Sequence, residues 1–337
     1  MDSFKALLIE ERDGKVSSGF VRMDESQLDV GTVTIKVAYS SINYKDALAA
    51  TGAGKIIRRF PCVGGIDLSG TVIESADARF SPGDPVIATS FDIGVAHHGG
   101  YAEMARVPGD WVVPLPAGLS LSQAMALYDA MALGTAGFTA ALGIVRMEEN
   151  GLRPSKGPVI VTGATGGVGS LAVDMLARIG YHVVALTGKE SEADYLRGLG
   201  AAEVLLRQNL DLSKIRPLDR ARWAGAVDNL GGDVLAWIAS TMEQGGTIAS
   251  IGLAASMSLN TTVAPFILRG VSLLGVDSGY IREPYRSGVW QRLASDLRPP
   301  HLSAMSRRIP FDDLPATFGE YIAGRAKGRV VVEVAGG

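Results

Sequence analysis

The sequence predicts an α/β fold in which a doubly wound parallel sheet is inserted into a β-rich domain. Three observations carry this. The first third alternates β-branched runs with turn residues at short spacing. From Pro158 onward, short apolar runs alternate with helical stretches, the pattern of parallel strands covered by helices. The terminal Arg329-Val330-Val331-Val332-Glu333-Val334 then returns to strand character.

The first region has candidate strands at Phe4 to Ile9, Thr32 to Tyr39, Gly70 to Glu74 and Pro85 to Ala88, with a turn at Ser81-Pro82-Gly83-Asp84. Strands at this spacing suggest a small barrel or sandwich. Ser120-Leu121-Ser122-Gln123 reads as a helix start before an Ala/Met/Leu-rich stretch. Val159 to Thr162, His182 to Leu186, Gly225 to Asp228 and Gly246 to Ser250 read as strands. Ser170 to Ile179 and Ala193 to Leu199 read as helices. Trp290 to Leu297 is a further predicted helix, stopped by Pro299-Pro300. The resulting division is 1–125 with 285–337 for the β-rich domain, and 126–284 for the inserted one.

Composition narrows the function. The net charge of −3 gives no global field for nucleic acid or anionic lipid. A single cysteine, Cys62, rules out an internal disulfide and a zinc site of several thiolates. The N-terminus has no basic stretch followed by a long apolar one, and no run approaches ~18 uninterrupted apolar residues. A cytoplasmic location without membrane partner is the expectation.

The strongest local signal is Gly163-Ala164-Thr165-Gly166-Gly167-Val168-Gly169, set between a predicted strand and a predicted helix. A dinucleotide needs this context: glycines permit close backbone approach, and the helix N-terminus offers free N–H groups to a pyrophosphate. Ala164 departs from the usual G-x-G opening. An NAD-binding chain carries an acidic residue about 20 residues further on, at the end of the second strand. Here that place reads Thr187-Gly188-Lys189, which lacks the carboxylate and offers a hydroxyl and a cation to a 2′-phosphate. The predicted cofactor is NADPH.

Ser40-Ser41-Ile42-Asn43-Tyr44-Lys45-Asp46, Gly64-Gly65-Ile66-Asp67-Leu68-Ser69-Gly70 and the glycine-rich turn resemble the medium-chain dehydrogenase/reductases. Within them, Gly52 to Arg58, Ala224 to Asp228, Pro265 to Arg269 and Gly275 to Ser278 are similar to the zinc-independent acrylyl-CoA reductase group. The resemblance implies a GroES-like catalytic domain around a Rossmann domain. The G-H-E zinc motif of the metal-dependent branch falls on Gly65-Ile66-Asp67, and its first ligand cysteine on Asn43. No catalytic metal is therefore expected. His97 and His98, in a glycine-bounded loop, are expected to be solvated.

The resemblance implies NADPH-dependent reduction of the C=C bond of a short 2-enoyl-CoA, acrylyl-CoA to propionyl-CoA, with hydride to the β-carbon. The substrate's own carbonyl takes up the charge, so donors near the thioester oxygen suffice. Tyr44 is the leading catalytic candidate, with Asn43 and Asp46 beside it. The Tyr44 hydroxyl either orients the nicotinamide or relays a proton, or it only packs there while solvent supplies the proton. Asp46 equally caps or braces its loop. Further cofactor contacts implied are Thr139, Arg207, Gly252, Leu253, Ile267 and Ser278. Lys55, Arg58, Arg59 and Arg325 are candidates for the CoA phosphates. Leu127-Tyr128-Asp129-Ala130 reads as an insertion relative to the group. A homodimer is expected, with the strand around Gly270 to Gly275 at the joint. The alternatives are an NADPH:quinone or enone oxidoreductase, and a non-catalytic NADPH-binding protein.

Overall fold

The computed structural model describes residues 3–119 and 123–335. The predicted helix start at Ser120-Leu121-Ser122 lies outside the described residues, and the helix Gln123–Glu149 follows it. The chain forms two compact units: Met1–Thr135 with Gly279–Ala294 and Leu302–Gly337, and Ala136–Ser278 with Ser295–His301.

The first unit is β-rich. Phe4–Arg12 pairs antiparallel with Lys15–Met23. The two residues between them, Asp13 and Gly14, both have positive φ (52° and 72°). This is the backbone that lets a two-residue hairpin follow the strand twist, and Asp-Gly supplies it. A seven-stranded sheet runs in the order Ser306–Pro310, Arg329–Glu333, Val33–Ile42, Asp67–Ser75, Pro85–Thr89, Val112–Pro114, with Met104–Val107 added against Val33–Ile42. Strand Val33–Ile42 is thus central, and its last residues, Tyr39 to Ile42, are buried. Val33, Ile35, Val37, Leu68, Val86 and Val330 belong to one apolar core that fixes its register. The central strand delivers Ser40, Ser41 and Ile42 to the start of helix Tyr44–Thr51.

The second unit holds six parallel strands in the order Glu203–Leu206, Val183–Thr187, Val159–Thr162, Trp223–Asp228, Met242–Ser250, Ser272–Gly275. The chain winds outward one way from Val159–Thr162 and then the other way from Trp223–Asp228. Their neighbouring carboxyl ends form the switch point where such sheets open a crevice for ligands. The predicted strands match these elements closely, and the predicted helix at Ser170 to Ile179 begins three residues earlier, as Gly167–Arg178.

One expectation changes. The helix expected at Trp290 to Leu297 is Tyr285–Leu293. Pro284 sits at its N-cap, where a missing N–H costs nothing, and residues Ser295–His301 belong to the other unit. The helix Gln123–Glu149 is long and apolar enough to cross a membrane by length and composition alone, but 83% of its most apolar window is buried in the protein. It is broken at Gly134 (φ 51°, ψ −157°).

Candidate functional site

In the first unit, the end of the central strand carries a buried polar cluster. Asp67, fully buried, accepts hydrogen bonds from Ser41 Oγ (2.6 Å), Asn43 Nδ2 (2.8 Å), the Thr135 backbone N–H (3.0 Å) and Thr135 Oγ1. Arg329, 2% exposed, stands 3.9 Å from the Asp67 carboxylate. Its remaining donors reach Ala132 O (2.9 Å), Ile42 O (3.3 Å), Asn43 Oδ1 (3.2 Å) and Ser41 Oγ (2.9 Å). A buried charge pair is tolerated only when its other lone pairs and protons are satisfied, as here. Tyr101 and Tyr321 donate to the carbonyls of Ser41 and Ile42, both at 3.0 Å.

Gly134 makes this cluster possible. A Cβ there would lie 2.6 Å from Asp67 Oδ2 and 2.7 Å from Arg329 Nη2. The positive φ of Gly134 also breaks the helix, so the next N–H, that of Thr135, is free to reach Asp67.

Asn43, Tyr44 and Asp46 share the start of the short helix Tyr44–Thr51. The Asp46 carboxylate accepts the Asn43 N–H (2.8 Å), Asn43 Nδ2 (3.2 Å) and the Ile66 N–H (3.1 Å). It therefore both caps the helix and ties it to Gly65-Ile66-Asp67. Burial, followed by the nearby Asp67 charge, pushes the Asp46 carboxyl up to about 7. Tyr44 is 54% exposed, so its ring and hydroxyl are presented to solvent from a rigid base.

The second unit carries the glycine-rich turn at the end of strand Val159–Thr162 and the start of helix Gly167–Arg178. Gly163 has φ 57°. A Cβ on Gly169 would lie 2.3 Å from Gly163 O, so only glycine lets the helix close on the strand. Ala164, which stands where the pattern usually has its first glycine, is buried and donates its N–H to Leu186 O (3.2 Å). Thr165 is also buried, while Gly166, Gly167 and Val168 are partly exposed around the open helix end.

Thr187 pairs in register with Leu206, so Lys189 and Arg207 leave adjacent strand ends. Thr187 Oγ1 accepts the Lys189 N–H at 3.0 Å, which holds the Thr187-Gly188-Lys189 turn. Thr139 Oγ1 donates to Ser278 Oγ at 2.6 Å, bringing two of the expected cofactor residues together. Gly252 and Leu253 line a cavity of about 320 Å3 with Gly231, Leu235 and Ser256. Leu253 and Ile267 are 60% and 72% exposed.

The histidines differ from expectation. His98 is buried, its Nδ1 accepts the Val63 N–H (3.0 Å), and its own N–H donates to Asp29 (2.6 Å). Burial holds its pKa below the ordinary histidine range. His97 lies edge-on to Trp111, with ring centroids 5.1 Å apart. Among the described residues, no group of three or more His, Cys, Asp and Glu is placed to hold a metal ion. Ile66 fills the place of a histidine ligand and is 2% exposed.

Arg58 and Arg59 are ion-paired with Asp92 and Asp29. Tyr128, in the expected insertion, packs edge-on to Tyr39 and donates to Ser306 Oγ (3.2 Å). Sequence reasoning missed Ser41, Thr135, Tyr101, Tyr321 and Arg329. One available signal was the lone arginine heading the apolar run Val330 to Val332.

The alcohol dehydrogenase GroES-like domain family matches residues 29–117, and the zinc-binding dehydrogenase family matches residues 167–295. The acrylyl-CoA reductase AcuI of Ruegeria pomeroyi is 45% identical, over 98% of this chain and 99% of that protein. The "Putative quinone oxidoreductase YhfP" of Bacillus subtilis is 48% identical over the same shares. A crystal structure of that yhfP protein with NAD bound matches with a TM-score of 0.94 and 47% identity, covering 99% of this chain and 100% of the other. The yhdH oxidoreductase of Salmonella enterica, in complex with NADP, matches with a TM-score of 0.94 and 46% identity, covering 98% and 100%.

Proposed function

We propose, from the premise that this chain belongs to the medium-chain dehydrogenase/reductase family and to its acrylyl-CoA reductase and quinone oxidoreductase group, that it reduces the C=C bond of a short 2-enoyl-CoA with NADPH. Full-length similarity to an acrylyl-CoA reductase carries the substrate class. NADPH, when bound, would supply hydride for the β-carbon of acrylyl-CoA, and a proton at the α-carbon completes propionyl-CoA.

The chain's residues bind and orient. The open end of helix Gly167–Arg178 takes the pyrophosphate through backbone N–H groups and the helix dipole. Thr187, Gly188, Lys189 and Arg207 hold the 2′-phosphate. No carboxylate stands on the Thr187-Gly188-Lys189 turn to repel it, and the two cations leave neighbouring strands. Gly252, Leu253, Ile267, Thr139 and Ser278 serve the rest of the cofactor. Tyr44 orients the reacting groups and relays the proton bound for the α-carbon, from a helix start that Asn43 and Asp46 fix by bonding to each other. The zinc implied by one family name does not fit, because Ile66 and Asn43 stand at its ligand positions. The CoA phosphates fall to Lys55, Arg58, Arg59 and Arg325. Lys55 and Arg325 are exposed and in no ion pair among the described residues.

A homodimer joined through the outer edge of strand Ser272–Gly275 completes the reading. That strand ends its sheet, and Leu273 on it is 37% exposed. A monomeric mass in solution would overturn this.

The test is NADPH oxidation with acrylyl-CoA, crotonyl-CoA and a simple quinone, with NADH in parallel. Fast turnover with acrylyl-CoA and NADPH is expected. Turnover with the quinone alone would move the chain to the reading that its likeness to YhfP favours. NADPH binding without any turnover would make it a binding protein. Equal use of NADH, the reduced form of the dinucleotide in the yhfP structure, would overturn the 2′-phosphate assignment.

A further inference from the structure

Three adjacent strands of the parallel sheet, Val159–Thr162, Trp223–Asp228 and Met242–Ser250, end at one edge, and Asp228 with Asn229 ties all three ends together. Asp228 is fully buried. Its carboxylate accepts Thr162 Oγ1 (2.8 Å), the Gly231 N–H (2.8 Å) and the Leu230 N–H (3.3 Å). Thr162 Oγ1 in turn accepts the Asn229 N–H at 2.9 Å, so one hydroxyl donates to Asp228 and accepts from Asn229. Asn229 Nδ2 donates to Thr162 O at 2.7 Å, on the carbonyl that immediately precedes Gly163.

The same two residues hold the next strand end. The N–H groups of Ile251 and Gly252 donate to Asp228 O (2.9 and 3.2 Å), and the Ala254 N–H donates to Asn229 O (3.2 Å). A Cβ on Gly252 would lie 2.6 Å from Asn229 O, so the loop lies directly on this residue. Every polar group of Thr162 and Asn229 named here is used in a cross-strand bond, and each bond needs a particular donor or acceptor.

We infer that Asp228, Asn229 and Thr162 are positioning residues that fix the distance between the glycine-rich turn and the loop Gly252 to Ala255, so that a dinucleotide reaching both is gripped at its two ends together. This rests on the cofactor reading above. A brace that served folding alone would leave the relative affinity for long and short ligands unchanged. A spacing device weakens the long ligand selectively, because only that ligand must satisfy both ends.

The experiment measures dissociation constants of the full chain for NADPH and for adenosine 2′,5′-bisphosphate, which lacks the nicotinamide half. Thr162→Val removes the shared hydroxyl. Asn229→Asp replaces the donor to Thr162 O with an acceptor at nearly constant volume. For each, NADPH is expected to bind about tenfold or more weakly, ~1.4 kcal/mol or more, and the bisphosphate within about threefold of the unaltered chain. Thr162→Ser, which keeps the hydroxyl, should restore NADPH binding. Equal losses for both ligands, or no loss for either, would overturn the inference. Failure of the unaltered chain to bind NADPH would instead remove the cofactor reading beneath it.

Discussion

The buried cluster around Asp67 and the glycine-rich turn solve opposite problems. The first gathers charged, hydroxyl and amide side chains from distant parts of the chain, Ser41, Asn43, Asp67, Thr135 and Arg329, and satisfies them against one another. The second uses almost no side chains: its glycines let helix Gly167–Arg178 close on the preceding strand, and in the proposed reading the first backbone N–H groups of that helix meet the cofactor. One region is fixed by pairing among buried side chains, and the other by glycine packing that shapes a helix start the proposed cofactor would meet. Damage should therefore show as lost stability in the first and as lost affinity in the second.

The largest expected effect tests the first half of that contrast. Asp67→Asn leaves Arg329 buried without its counter-charge and should cost about 3–5 kcal/mol in urea unfolding. Adding Arg329→Met should recover part of the loss, whereas a double variant no more stable than the single one would break the pairing argument. Next, Gly169→Ala drives a methyl group into Gly163 O and should weaken NADPH about a hundredfold, ~2.7 kcal/mol. Unchanged affinity would mean that the turn does not hold the cofactor. Tyr44→Phe touches neither framework, because the residue is exposed. Its melting temperature should be unchanged while turnover of acrylyl-CoA falls about tenfold or more; full activity would leave solvent as the proton source.

The smallest effect concerns pH. The Asp46 carboxyl is raised in the folded chain to about 7, so the fold binds this proton more tightly than the unfolded chain does. Its contribution to stability is present at acid pH, and declines as pH rises from the ordinary carboxylate range through about 7. Asp46→Asn should flatten the slope of stability against pH over that interval. An identical slope in both proteins would show that Asp46 does not titrate there.

The same contrast explains what could be read from the sequence. The turn, its flanking strand and helix, and Thr187-Gly188-Lys189 lie within about thirty residues and follow local rules of period and glycine placement. The parallel strands were legible for the same reason. The cluster was not, because Ser41, Asp67 and Arg329 meet only through pairing of strands far apart in the chain, and Thr135 joins them from a break inside a helix. Asn43, Tyr44 and Asp46 came from resemblance to relatives, and the capping contact between Asn43 and Asp46 gives that choice a physical basis. His98 misled because glycines beside it signalled a loop, while its burial comes from Asp29 and Val63, distant in sequence. The helix at Tyr285–Leu293 begins earlier than expected because Pro284 stands at its N-cap, a start signal that precedes its buried residues Val289, Trp290 and Leu293.

The break at Gly134 bears on any attempt to transplant this charge pair into another scaffold. A continuous helix keeps its N–H groups engaged with its own preceding turn, and any side chain at that position would occupy the volume of the carboxylate and guanidinium. Copying Ser41, Asn43, Asp67 and Arg329 onto an unbroken helix would therefore reproduce the residues without the arrangement. The graft has to begin with a left-handed backbone step at one glycine, a requirement that no list of functional side chains records.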